Sequence, residues 1–161
     1  MVKRSFVLII SIIISITTVG CSNVANKNDE IKSETEHQVN KWKESPLFEY
    51  GGYTMIGEEG RLGFIYDDSE NLRFYPNKTQ KYMWHFWGDD EEFNGNLKVI
   101  ATYEKEDEKI TVVEGGLGGA HNGADRHAPS NMSLPKSGMW KLDAYIGDKL
   151  FGTVFVKVHK E

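Results

Sequence analysis

From residue 46 onward, runs of four to ten residues rich in Tyr, Phe, Trp, Val and Ile alternate with clusters of Gly, Asn and Asp. No segment sustains an apolar repeat near 3.6 residues over three turns. A chain patterned this way has one economical solution, in which period-2 strands bury one face each against a second sheet. The runs predict strands at 47–56, 61–66, 72–75, 80–87, 96–104, 109–114, 139–146 and 150–158, with Lys98–Glu114 as one hairpin turning at Lys105–Glu108. About 116 residues suffice for one core and not for two, so 46–161 is expected to be a single antiparallel all-β sandwich.

The last hairpin carries the clearest register. Trp140, Leu142, Ala144 and Ile146 alternate with Lys141, Asp143 and Tyr145, and Leu150, Gly152, Val154, Val156 and Val158 alternate with Phe151, Thr153, Phe155 and Lys157. A two-residue Gly147-Asp148 turn pairs Trp140 with Phe155 and Tyr145 with Leu150. A three-residue turn pairs Trp140 with Val156 and Ile146 with Leu150, placing both apolar sets on one face, and is preferred because a one-residue slip moves every side chain across the sheet.

Upstream, the chain reads as an export address. Lys3 and Arg4 precede the apolar stretch Phe6–Ile16, and Thr18-Val19-Gly20-Cys21 resembles a lipobox, although Thr18 stands where leucine is usual. The stretch from Phe6 to Gly20 is fifteen residues with four hydroxylated side chains, short of the roughly 20 apolar residues a spanning helix needs. Cys21 is the one cysteine, with no disulfide partner in the chain, and acylation accounts for its isolation. The expected organisation is a signal peptide over 1–20, an acylated Cys21 heading a polar tether over 21–45, and the sandwich over 46–161, held on the extracytoplasmic face of the cell membrane by lipid. Ser22–Glu44 is too poor in large apolar residues to fold alone and gives a flexible reach of roughly 25–30 Å.

Charge narrows the partners. Removing residues 1–20 takes Lys3 and Arg4, so the 19 basic side chains become 17 against an unchanged 24 acidic ones, a formal charge of −7. That balance excludes nucleic acid as the expected partner and leaves the acyl chains to hold the membrane without polybasic help. The expected partners are the membrane, through the anchor, and an unidentified protein or cell-wall polymer.

Three segments could carry chemistry. In Tyr82–Trp87, Tyr82, Trp84 and Phe86 point one way and Met83, His85 and Trp87 the other. Both faces are apolar, so the second is either covered by a loop, with His85 a hydrogen-bonded core histidine, or stands as an exposed aromatic platform for sugars or a partner's side chains. Gly115–Gly138 reads as a long loop without strand alternation, and such loops are commonly functional. Its His121, Asp125, Arg126 and His127 are candidate binding residues, and His121, Asp125 and His127 would be the ligands of a divalent metal if one bound. That spacing lacks a cysteine or a helical repeat and is a weak zinc signal, so no cofactor or metal is expected. The plainer alternative is a packed loop with Leu117, Met132 and Leu134 tucked in, His127 bonding a backbone carbonyl and Arg126 pairing with a carboxylate. Asp89–Asn96 imitates the opening of a calcium loop, but its twelfth position is Ala101 in a strand, and it reads better as an acidic connection that discourages edge pairing.

Catalytic templates are missing: there is no nucleophile elbow, zinc-protease helix or phosphate loop, and nothing in the spacing favours Ser130 or Ser133 as a nucleophile with His121 or His127. The expected role is a non-enzymatic envelope-binding module. A metal-dependent hydrolase using His121, Asp125 and His127, or an inhibitor inserting the long loop into an enzyme cleft, are the alternatives.

The stretches Lys81–Gly88, Gly115–Gly119, Asn122–Asp125, Ser137–Tyr145 and Leu150–Gly152 together resemble a family of small bacillus-type lipoproteins that carries a domain of unknown function. The resemblance spans roughly residues 55–158. It implies an immunoglobulin-like sandwich on a lipid anchor and transfers no catalytic residues. Mass spectrometry of the mature N-terminus is expected to find diacylglyceryl-cysteine at Cys21; an unmodified thiol there would refute the anchor.

Overall fold

A strand with large apolar residues on both faces, as in Tyr82–Phe86, obliges the chain to cover it on both sides, and the architecture follows from that demand. The computed structural model describes residues 42–106 and 108–160. The chain divides into two units, Met1–His37 and Gln38–Glu161, and every described residue belongs to the second. Cys21 and the signal segment lie outside the described residues.

Among the described residues nine strands form two antiparallel sheets: β1 (Leu47–Tyr50), β2 (Tyr53–Glu58), β3 (Leu62–Ile65), β4 (Gln80–Phe86), β5 (Leu97–Tyr103), β6 (Lys109–Gly115), β7 (Arg126–Met132), β8 (Gly138–Ile146) and β9 (Lys149–Val158). The first sheet has the order β1-β2-β3-β4-β7 and the second β6-β5-β8-β9. Because β4 lies beside β7 while β5 lies beside β8, the chain crosses between sheets three times, the interlock of an immunoglobulin-like sandwich. A cross-strand row Ile56, Phe64, Trp84, Ala128 on the first sheet packs in one apolar cluster with Leu97, Val99, Leu142, Val154 and Val156 of the second. Each large side chain buried there stabilises by roughly 1.5–3 kcal/mol.

Several expected boundaries move. The run 47–56 is two strands, because Gly51 and Gly52 both adopt positive φ, +58° and +83°, the geometry of a two-residue hairpin turn that matches strand twist. Residues 72–75 form no strand. Only Phe74 makes a parallel bridge, to Val158, and its aromatic ring stacks on Tyr82 at 4.6 Å. The expected hairpin β5–β6 is present.

The β8–β9 hairpin combines both registers considered from the sequence. Trp140 pairs with Val156 and Ala144 with Gly152, yet Tyr145 pairs with Leu150 and Ile146 with Lys149 around a two-residue turn. A bulge opposite Ala144/Tyr145 reconciles them, leaving Phe151 as the extra residue. Leu150, expected on the core face, is therefore 53% exposed, and Phe151 turns inward to 6%. Its ring meets Phe86 at 5.5 Å and Phe93 at 5.6 Å, with the Arg61 guanidinium 3.5 Å above it.

Residues 42–45, assigned to the tether by composition, are laced to the outer edge of β9. Ser45 donates its amide to the Phe155 carbonyl at 3.0 Å, the Phe155 amide donates to Ser45 Oγ at 2.9 Å, and the Lys157 amide to Glu44 Oε1 at 3.2 Å. Trp42 packs edge-on against Phe155 at 5.5 Å. An edge strand so covered cannot pair with another chain there, and the folded unit extends at least to Trp42.

The bulge makes a sharp distinction between neighbours. Phe151→Ala is expected to lower the unfolding free energy by about 3–5 kcal/mol, and Leu150→Ala to change it by less than about 0.5 kcal/mol, as read by urea denaturation.

Candidate functional site

The outer face of the first sheet is where the sequence-predicted residues meet. Register places Phe48, Met55, Gly63, His85 and His127 on one face, opposite the main core. Phe48, Met55, Trp87 and Ala124 form a second apolar cluster there, with Tyr50 and Ile65 against it. The Phe48 ring lies directly over Gly63, where a Cβ would come within 2.9 Å of it.

What covers this face is the segment read as an unstructured loop. Gly118 bridges to His127 and His121 to Ala124, so residues 118–127 are a small hairpin. Its tip is Asn122-Gly123, with φ of +49° and +80°, and its second arm continues as β7. Arg126–Met132 is thus a strand of the first sheet and not part of a loop. The Asn-Gly pair is a strong hairpin signal, and it was the signal available in the sequence for this turn. The absence of alternation hid β7 itself: Pro129 sits at its centre, acceptable because β7 is an edge strand. The expected inward packing of Leu117, Met132 and Leu134 is present.

The tip closes over Trp87, whose indole N–H donates to the Gly123 carbonyl at 3.1 Å and whose ring meets Tyr50 at 4.9 Å and Phe48 at 6.2 Å. Trp87 is 9% exposed and offers no aromatic platform. His85 is completely buried. Its Nδ1 lies 3.2 Å from the Met83 carbonyl, which can only accept, so Nδ1 carries the proton and Nε2 accepts from the Asn122 amide at 3.3 Å. Burial is the main reason its pKa falls below the usual histidine value, with the nearby His121 and His127 adding to the depression and the Met83 contact opposing it.

His85, His121 and His127 stand in a row, with ring centroids 6.1 Å apart for the first pair and 4.7 Å for the second. His121 is exposed. His127 bonds the Gly119 carbonyl through Nδ1 at 2.7 Å, and its ring packs so closely on Gly118 that a Cβ there would lie 2.3 Å from Cε1. Asp125 and Arg126 turn elsewhere. Asp125 Oδ2 accepts the Gly88 amide at 3.1 Å. Arg126 donates to Asp90 at 2.7 Å and lies 5.1 Å above the Phe93 ring, on the 3-10 turn Asp90–Phe93 of the acidic connection. Asn122, Gly123 and Tyr50, none of them a candidate binding residue in the sequence, are the residues that fasten the hairpin.

This arrangement has chemical consequences. Among the described residues no group of three or more His, Cys, Asp or Glu side chains is placed to share a metal ion, since Asp125 is committed to Gly88. Ser130 is buried on the core side of β7 and donates to the Tyr82 carbonyl at 3.3 Å, whereas His127 lies on the opposite face. A serine–histidine pair is not formed between them. Among the described residues no helix is long and apolar enough to cross a membrane.

With this geometry in view, comparison with known proteins becomes informative. The family model described as "Domain of unknown function (DUF4871)" matches residues 32–156. The chain belongs to that family. A crystal structure described as that of a "Putative Lipoprotein from Bacillus anthracis" shares the fold, with a TM-score of 0.59 at 23% identity over 73% of this chain and 86% of that one. No curated protein matches. The family resemblance read from the aromatic and Gly-rich motifs agrees with these findings, and the DUF4871 match begins at residue 32, upstream of the first strand.

The buried histidine gives this family member a pH signature. A folded-state pKa below the unfolded value of 6.5 means the unfolded chain binds more protons, so stability rises with pH in that window. The His85 contribution is fully present above about pH 6.5, declines as pH falls through the interval below it, and is flat once the folded pKa is passed. Denaturation midpoints measured from pH 7.5 to 5 should fall for the wild type, and His85→Gln should remove most of that slope.

Proposed function

We propose that this DUF4871 protein is a non-catalytic binding module of the cell envelope, anchored at Cys21 to the outer side of the cell membrane, whose 116–121 segment contacts a protein or wall-polymer partner. One observation carries the reading. The hairpin is pinned at its base and tip by the Gly118–His127 bridge, the His127–Gly119 bond and the Trp87–Gly123 bond, all of which use only the backbone of the glycines, while Gly116 and Gly119 remain exposed. Gly116 and Gly119 do not adopt left-handed φ, and a Cβ at either meets no heavy atom within 4 Å. Neither backbone conformation nor packing within the chain demands glycine there. A rigid support displaying bare backbone suits close approach by an outside molecule.

The anchoring half of the proposal is supported by the lipobox-like run ending at Cys21 and by the lipoprotein description of the structural relative. The hydrolase alternative is disfavoured by the positions of Asp125 and Ser130, each committed to a backbone group away from the histidine row. Deleting 118–130 would remove most of β7, so the test must leave the backbone intact. A photo-crosslinking residue placed at exposed Ala120 in living cells is expected to give a discrete adduct that the same residue at exposed Glu70 does not give. Equal adducts at both sites, or none at Ala120, would count against the loop as the contact.

A further inference from the structure

A second surface, on the other sheet, is unused by that reading. At the end of the sandwich where β5 begins and β8 ends, a shallow open depression of about 630 Å³ is lined by Asn96, Lys98, Glu114, Gly115, Tyr145 and Asp148, with Leu97, Ile100 and Gly147 completing it. That volume is within the roughly 300–1,000 Å³ of small-molecule sites. We propose that it binds one neutral sugar ring of an envelope polysaccharide.

Register explains how the lining comes together. Lys98 on β5 pairs with Glu114 on β6 and with Tyr145 on β8, so an acid, an amine and a phenol ring form one row across the outer face. Lys98 Nζ lies 3.0 Å from Glu114 Oε1, which cancels both charges locally and leaves Asp148 as the acidic member of the rim. A site of this balance attracts neither phosphate nor sulfate. Hydroxyl groups suit it, because each both donates and accepts, and the lining offers carboxylate acceptors, an ammonium donor and the mixed amide of Asn96. The half-buried Tyr145 ring, exposed in part to the depression, supplies an apolar plane for the C–H face of a pyranose, with its phenol group at the wet edge. The depression is open at its sides, as an internal residue of a polymer requires.

Gly115 is the independent observation. It ends β6 opposite Leu97, where glycine weakens a strand. Its φ is not left-handed, and a Cβ there meets no heavy atom within 4 Å. The chain gains nothing from glycine at this position, and close approach by a ligand is the remaining physical reason for a side-chain-free strand end.

The test titrates the purified full-length protein in detergent with chitotetraose and with maltotetraose, read by calorimetry. Saturable binding of either is expected, weakened roughly tenfold or more by Tyr145→Ala and detectably by Asp148→Ala. Gly115→Val is expected to leave the denaturation midpoint unchanged or raised while weakening binding, an effect that a purely structural glycine would not show. Asp148 lies in an exposed turn, so its variant keeps the test valid if Tyr145→Ala fails to fold. Absence of saturation with both sugars, binding that none of the three variants alters, or preference for dextran sulfate over both would overturn the proposal. The titration reads the sheet surface alone, so its failure leaves the Ala120 crosslink standing, and the reverse.

Discussion

β4 is the constraint on which the rest of the molecule depends. Its core-side residues Tyr82, Trp84 and Phe86 are all 2% exposed or less, and on the other side His85 is fully buried. A strand apolar on both faces is stable only with two covers. The second sheet supplies one through Leu97, Val99 and their neighbours. The other must come from the first sheet's own connections, and the 118–127 hairpin, with Phe48 and Tyr50, provides it. The feature that makes the segment conspicuous in sequence, its glycines and its Asn-Gly turn, is what lets it lie flat enough to cover aromatic rings. Cover and display are therefore one structure: the inner side of the hairpin seals Trp87 and His85, and the outer side leaves Gly116, Gly119 and Ala120 in solvent.

Polar groups at the sandwich ends hold this arrangement in register. Arg61 bonds Glu92 through two nitrogens, at 3.0 and 2.8 Å, and the Phe151 carbonyl at 3.1 Å, tying the β2–β3 turn to the acidic connection and to the bulge of β9. Arg126 ties the hairpin base to Asp90 of that same connection. These pairs are largely exposed, so each contributes little by itself. Their geometric effect is larger than their energetic one, because they gather the ends of both sheets around Phe93 and Phe151. The acidic run Asp89–Glu92 thereby acts as a structural clasp, through Glu92 to Arg61 and Asp90 to Arg126.

The charge balance and the topology together limit what this domain can bind. The 24 acidic side chains outnumber the 19 basic ones, a balance that repels anionic lipid and phosphate backbones at long range. Two of the four edge strands among the described residues are protected by different devices: β9 by residues 42–45, β7 by Gly118 at one end and Pro129 at its centre. Bare backbone on the hairpin and the polar depression beside Tyr145 are two of the accessible surfaces. On the two proposals made above, both would recognise an uncharged or weakly charged partner at short range.

The sequence by itself determined the class of fold and the buried face of β8 and of the C-terminal part of β9, because period-2 alternation is a local property; the apolar leader before Cys21 is likewise a local reading. Trp140, Leu142, Val154 and Val156 are all on the expected face. It also exposed the plain partners of His127 and Arg126, a carbonyl and a carboxylate. Tertiary structure decided what alternation does not encode. β7 has small and polar residues, and only pairing with β4 makes it a strand. Leu150 and Phe151 are both apolar, and only the bulge, which lets the register of Trp140 coexist with a two-residue turn, selects Phe151 for the core. Trp87 reads the same whether wet or covered, and only the return of a hairpin from more than thirty residues away along the chain buries it. The physical reason is common to all three: burial by a distant segment is a property of the closed chain, while period and composition report only on neighbours.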